Sequence, residues 1–294
     1  MQTFKIADLI LAIDGPASYI HRNFSSFTYS GTDTPQFTIS FKKEDDSFHA
    51  DSCTPLIDTE FLKIYDNTDQ YILYYPQEKQ IRRSYINKEK TFGTIYVTGA
   101  EPCDTPSLEV FAYTICLAIR DLFFVFMQQH NRIAVHSASI IYNNEAYAFS
   151  ASSGVGKTTH TNFWKSLYDI EILDGDVAAL YKENDTVYAY GLPWCGTSKL
   201  FENKKVPLGG IFFLQQSCHN AVHPLNLFEA ILRLSARCFT PTWTPKLADK
   251  NISIAETIAA QTLCAIVSCL PNEEAAKTVK TFIDQNNKKH YYET

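Results

Sequence analysis

The residues with the clearest chemistry form one run, Ala151-Ser152-Ser153-Gly154-Val155-Gly156-Lys157-Thr158-Thr159. Small residues let the backbone curl closely, so that successive N–H groups turn inward toward an anion. Lys157 supplies a charge that reaches the outer phosphates of a nucleotide, and the Thr158 hydroxyl suits a Mg²⁺ ligand. Ser152, Ser153, Gly154, Val155, Gly156 and Thr159 complete the cradle. Ala151 stands where glycine is more usual in this pattern. A run of this kind also arises by chance, so its neighbours decide its weight. Residues 146–150 read as a strand and 158–167 as a helix, whose positive end faces the same point.

Two further stretches carry chemistry. Asp174-Gly175-Asp176 sets two carboxylates two residues apart at a strand end, on the same side, where they can share metal and base roles. The alternative is a simple Asp-Gly turn. The second is His136, in a strand pattern over 131–142. A short polar connection, Asn143-Asn144-Glu145, joins this strand to the one entering the loop, which implies an antiparallel hairpin. If Tyr142 faces Ala146, His136 falls opposite Ser152. A strand histidine is ordinarily a satisfied structural group, but beside transferred phosphate an imidazole acts in proton transfer or charge stabilisation.

His136, the loop from Ala151 to Thr158 and the acidic turn at Ile172-Leu173-Asp174-Gly175-Asp176 together resemble the core of the HPr kinase/phosphorylase superfamily. That group is related to ATP-dependent phosphoenolpyruvate carboxykinase and includes kinases acting on serine in precursor peptides. The resemblance covers residues 132–214, with weaker support onward. It implies an α/β P-loop kinase core with a mixed sheet, a nucleotide donor such as ATP, Mg²⁺, and a peptide or protein acceptor. It also implies roles: Asp176 as base, Asp174 as its metal partner or the reverse, and His136 as proton or charge partner. Lys157 counters phosphate charge, and Thr158 reaches Mg²⁺. Family members usually carry adjacent aspartates, whereas here Gly175 separates them. The Pro-Gly-Arg-Asn type signature of bona fide HPr kinases is absent, which argues against HPr as acceptor. The chain is also too short for the full phosphoenolpyruvate carboxykinase fold.

The bulk composition is that of an ordinary globular protein, 294 residues with 45% hydrophobic and 20% charged. A formal net charge of −6 gives no global basic field, so nucleic acid is not an expected partner. The eight cysteines, Cys53 among them, show no Cys-x-x-Cys or zinc spacing, and the Met1 end has no signal pattern, which points to reduced thiols in the cytoplasm. The most apolar stretch, 108–127, contains Glu109, Arg120 and Asp121 and reads as a buried helix rather than a membrane span.

The elements that must position these groups follow from periodicity. Residues 36–41, 61–65, 70–75, 80–85 and 92–97 read as strands, rich in Phe, Tyr, Thr and Ile. His21 and His49 are isolated there and read as structural. Asp104 or Ser107 caps a helix with Pro106 in its first turn. Gly191, Pro193 and Gly196 make 191–199 a loop, in which Trp194 and Lys199 are open to a nucleotide base, a phosphate or the acceptor, or else form an ordered turn with a buried indole. Residues 210–214 read as a buried strand and 225–239 as an amphipathic helix, with Leu227, Phe228, Ile231, Leu232 and Leu234 on its buried side. Arg233 and Arg237 share another face of that helix, either solvated or aimed at a phosphoryl group. A helix over 253–265, a strand over 266–270, a helix over 272–285 and a frayed tail complete the chain.

The expected organisation is a β-rich region over 1–104, then a P-loop nucleotide-binding domain over 105–294. The expected reaction is Mg²⁺-dependent phosphoryl transfer to a serine-type hydroxyl. A nucleotide-binding regulatory protein without transfer and a small-molecule kinase are the alternatives. Nothing in the sequence specifies an oligomeric state.

Overall fold

A computed structural model describes residues 1–44 and 54–290; His49 and Cys53 lie outside the described residues. The fold is mixed α/β, with two mixed sheets divided between two units, Met1–His130 with Pro241–Asp249, and Asn131–Thr240 with Lys250–Thr294.

The first unit contains β1 (Gln2–Ile6), β2 (Leu9–Asp14), β3 (Phe37–Lys43), β4 (Ile57–Asp58), β5 (Lys63–Asp66), β6 (Gln70–Tyr74), β7 (Ile81–Asn87) and β8 (Phe92–Val97). They form one sheet in the order β1-β2-β3-β8-β7-β6-β5-β4. Helix α1 (Thr105–Gln129) is capped by Asp104, whose side chain accepts from Ser107 N–H at 3.0 Å. Phe126 of α1 stacks on Phe37 of β3 with ring centroids 4.9 Å apart. Gly93 of β8 lets the helix close in, because a Cβ there would lie 2.9 Å from Leu122 Cδ1. These contacts correct the division at residue 104: α1 packs on the N-terminal sheet, and the boundary falls after His130. By length and composition α1 could cross a membrane, but its inward residues are core of this unit.

The second unit contains β9 (Arg132–Tyr142), β10 (Glu145–Ser150), α2 (Lys157–Leu167), β11 (Glu171–Asp174), β12 (Val177–Glu183) and β13 (Thr186–Gly191). It continues through β14 (Lys205–Gln216), β15 (Ala221–Pro224) and α3 (Leu227–Ser235). Helix α4 (Pro245–Ala259), which begins in the returning segment of the first unit, leads to β16 (Leu263–Cys269) and α5 (Glu273–His290). Pairing runs β10-β9-β12-β13-β14-β16-β15, and β10 also pairs with β14, so strands β9, β12, β13, β14 and β10 close a ring. Period-two alternation in β10 serves two cores. Ala146 and Ala148 face Leu234 of α3 and Ile254 and Ile258 of α4, while Tyr147 and Phe149 face Trp164 of α2 and Val279 of α5.

Three expectations need correction here. The hairpin pairs Tyr142 with Glu145 and Ser137 with Ser150, one residue away from the Tyr142–Ala146 register. Asn143 (φ 51°) and Asn144 (φ 63°) both adopt the left-handed conformation, so the turn is two residues long and Glu145 already belongs to the strand. Helix α3 is shorter than 225–239, beginning after a reciprocal cap between Asn226 and Glu229. Its buried residues are Ala230 and Leu234, whereas Leu227, Phe228 and Leu232 are exposed. Finally, α4 begins at Pro245 and β16 at Leu263, both earlier than 253 and 266, and α5 extends past 285 to His290.

Candidate functional site

Strand β10 ends at Ser150, and the chain turns through residues 151–156 into α2. Gly154 (φ 79°) and Gly156 (φ 117°) take backbone conformations that side chains resist, which is why glycine occupies both positions. Gly156 is the N-cap of α2 and contributes no side-chain hydrogen bond, so the first-turn N–H groups remain available to an anion. Ser152, Ser153, Thr158 and Thr159 are exposed around this turn, and Val155 is half-buried.

Lys157 is largely buried and folds back beneath the loop. Its Nζ donates to the Ala151 carbonyl at 3.3 Å and lies 2.9 Å from His136 Nε2. Burial lowers the Lys157 pKa and the nearby Arg237 adds to this, while the Asp176 charge opposes it. His136 Nε2 in turn lies 3.4 Å from Asp176 Oδ1. The same ring nitrogen therefore meets both groups, accepting from Lys157 when it bears a lone pair and donating toward Asp176 when it bears a proton. The one-residue change in register therefore leaves His136 at the loop. It sits one step beyond the last β9–β10 pair, Ser137 with Ser150.

The two aspartates have different surroundings. Asp174 is fully buried, and its carboxylate accepts from the N–H groups of Asp176 (2.9 Å), Val177 (3.0 Å) and Leu192 (2.9 Å). Burial raises its pKa well above the usual carboxylate range, with those three amides pulling the other way. Both oxygens are engaged by backbone, so the metal reading of Asp174 gives way to a structural one: it holds the turn that presents Asp176. Asp176 is half-exposed and faces His136. Gly196 (φ 57°) approaches so closely that a Cβ there would lie 2.7 Å from Asp176 Cγ. Gly175 is equally constrained, since its Cβ would lie 2.0 Å from Ser198 Oγ. The 191–199 loop thus clasps the acidic turn. Trp194 is buried within it, the ordered-turn alternative, and Lys199 is exposed.

Sequence reasoning did not find what flanks His136. Where β10 leaves β9, residues 237–239 take over the pairing: His136 N–H donates to the Arg237 carbonyl at 2.9 Å and Phe239 N–H to the Ala134 carbonyl at 2.8 Å. The Phe239 ring lies 5.0 Å from that of His136. The signal was long-range strand pairing, which local periodicity does not carry.

A cavity of about 390 Å³ extends from Gly154 and Gly156 along Thr159 and Phe163 to Gln216 and Pro271. It opens beyond the C-terminal ends of β14 and β16, which run parallel to each other, as β10 does to β14. Ligands commonly bind at that edge of parallel strands.

No protein-family model and no curated protein matches the sequence. Among solved structures, the Hpr(Ser) kinase/phosphatase from Coxiella burnetii aligns with 54% of this chain and 98% of its own. Identity is 9% and the TM-score 0.33. A superposition this loose carries no argument, and the site is read from its own residues.

Proposed function

We propose that the second unit is an HPr-kinase-like phosphotransferase that moves a phosphoryl group from a nucleotide, ATP in the simplest case, to a serine-type hydroxyl of a peptide or protein. The observation that carries this reading is the Lys157–His136–Asp176 chain, with contacts of 2.9 and 3.4 Å, beneath a glycine-formed loop and an uncapped helix start.

The loop amides from Ser153 to Lys157 hold the donor phosphates. Lys157 leaves His136 to pair with phosphate oxygens, which its flexible stem permits. The 390 Å³ cavity receives the nucleoside end. Asp176 accepts the acceptor's proton as the acceptor oxygen bonds to phosphorus and the bond to the departing nucleotide oxygen breaks. His136, whose Nε2 lies 3.4 Å from Asp176 Oδ1, balances charge as that proton moves.

The residues present also fit Mg²⁺. The described residues contain no group of three or more His, Cys, Asp or Glu able to cage a metal, but Asp176 and Thr158 both stand open beside the loop. One carboxylate, one hydroxyl and donor phosphates are a usual Mg²⁺ ligand set. Mg²⁺ bound there would neutralise charge on the transferring group.

The test is intact-mass analysis of serine peptides incubated with the protein, Mg²⁺ and each nucleotide donor. Phosphate gain is expected with wild type and lost with Lys157→Ala or Asp176→Asn. Undiminished transfer by Lys157→Ala would overturn the mechanism, and absence of any nucleotide binding would remove the reading.

A further inference from the structure

Helix α3 has its amphipathic pattern turned the wrong way for a core helix. Only Ala230 and Leu234 are buried, while Phe228 is 70% exposed and Leu232 55%. Exposed apolar side chains grouped on one helix mark an interaction surface more often than scattered ones do. On the same helix and just beyond it, Arg233 and Arg237 line a cavity of about 240 Å³ with Ser150, Phe213, Leu214 and Leu232. Neither arginine has a carboxylate partner among the described residues. In a chain of net charge −6, two such arginines beside each other form a local positive field.

This surface is continuous with the chemistry. Ser150, on the cavity wall, is the last residue of β10 before the phosphate loop, and its hydroxyl donates to the His136 carbonyl at 2.7 Å. The Arg237 main-chain carbonyl accepts from the His136 N–H, and Phe239, 46% exposed, lies against the His136 ring. An occupant lying along α3 and past Phe239 therefore reaches His136, whose Nε2 lies 3.4 Å from Asp176 Oδ1.

Resting on the phosphotransferase reading, we infer that α3 and residues 236–239 are the docking surface for the acceptor, a polypeptide segment that places a carboxylate on Arg233 and Arg237 and an apolar side chain on Phe228 and Leu232. Arginine favours carboxylates through its planar fork of donors, and the neighbouring apolar patch supplies binding area. Opposite charges set specificity and encounter rate, and the apolar contact sets affinity.

The experiment uses three degenerate peptide libraries, fluorescein-labelled, each with a central serine. One has flanks of Asp, Glu, Leu and Phe; the second replaces Asp and Glu by Lys and Arg; the third replaces Leu and Phe by Gly and Ser. Fluorescence anisotropy reads binding to the full chain, and nucleotide binding is measured on the same samples. The first library is expected to bind about tenfold or more tighter than either other. Arg233→Glu should shift preference toward the second library, and Phe228→Ser should erase the difference between the first and third. Both side chains are exposed, so neither change threatens the fold. Equal binding of all three libraries, or an unchanged preference in Arg233→Glu, overturns the inference. Peptide preference without nucleotide binding would overturn the kinase reading instead, and nucleotide binding without peptide preference would overturn only this one.

Discussion

Gly175 and Ser198 approach so closely that a Cβ on Gly175 would lie 2.0 Å from Ser198 Oγ and 2.4 Å from Ser198 Cβ. The glycine that separates the two aspartates is therefore a packing requirement of the loop that clasps them. Gly175→Asp, which would create an adjacent acidic pair, is expected to destabilise the protein by about 1–3 kcal/mol through overpacking. Pairing it with Ser198→Gly should recover part of that loss. Urea unfolding of the single and double variants measures both, and an unperturbed Gly175→Asp protein would contradict the close approach.

Asp174 and Asp176 should separate stability from activity. Asp174→Ala strands the buried N–H groups of Val177 and Leu192 and the part-buried one of Asp176, and is expected to cost about 2–4 kcal/mol. Asp176→Asn is half-exposed and should leave stability nearly unchanged while lowering transfer by about 10²–10⁴-fold. Thermal unfolding beside a transfer assay reads the contrast. Equal stability losses in the two variants would mean that both aspartates are structural.

These two residues also show how far the sequence could be read. The loop, His136 and Asp176 were picked out by residue type and short spacing, and the structure brings them within contact distance of one another. The task of Asp174 was not legible, because it depends on Leu192, which loop packing brings to it from eighteen positions away. The first hairpin was missed for another reason. Its turn is Ala7-Asp8, both at positive φ, and Ala7 gives no local sign of that conformation. Helix α3 was recognised as amphipathic, yet periodicity alone does not tell which stripe meets the core. Ala230 and Leu234 face Ile254 and Ile258 of α4, and the larger side chains are left outside.

His160 gives the protein an acid sensitivity of calculable sign. It is buried against Phe149, with ring centroids 4.5 Å apart, and its Nε2 accepts from Trp164 Nε1 at 3.2 Å, which requires the neutral ring. Burial lowers its pKa from 6.5 to about 4. Between those values the unfolded chain binds the proton and the folded one does not, so stability falls as pH drops through this window. The loss approaches about 3 kcal/mol near pH 4. His160→Gln keeps an acceptor for Trp164 without titrating there, and should flatten the pH dependence of the urea midpoint between pH 7 and 4. An identical slope in both proteins would exclude His160 as its source.

The Asn143-Asn144 turn offers a test of the register that delivers His136 to the loop. With both residues at positive φ, Asn144→Gly relieves backbone strain and completes a preferred two-residue turn. It is expected to stabilise the protein by about 0.5–1 kcal/mol, although glycine's extra freedom in the unfolded chain offsets part of the gain. Asn144→Val, β-branched and resistant to positive φ, should destabilise by more than Asn144→Gly stabilises. The three-residue connection of the sequence reading would move the turn and remove the need for positive φ at residue 144. Glycine and valine would then differ little there. A large difference in unfolding midpoint between the two variants supports the Tyr142–Glu145 pairing, and with it the placement of His136 one step beyond Ser137 and Ser150.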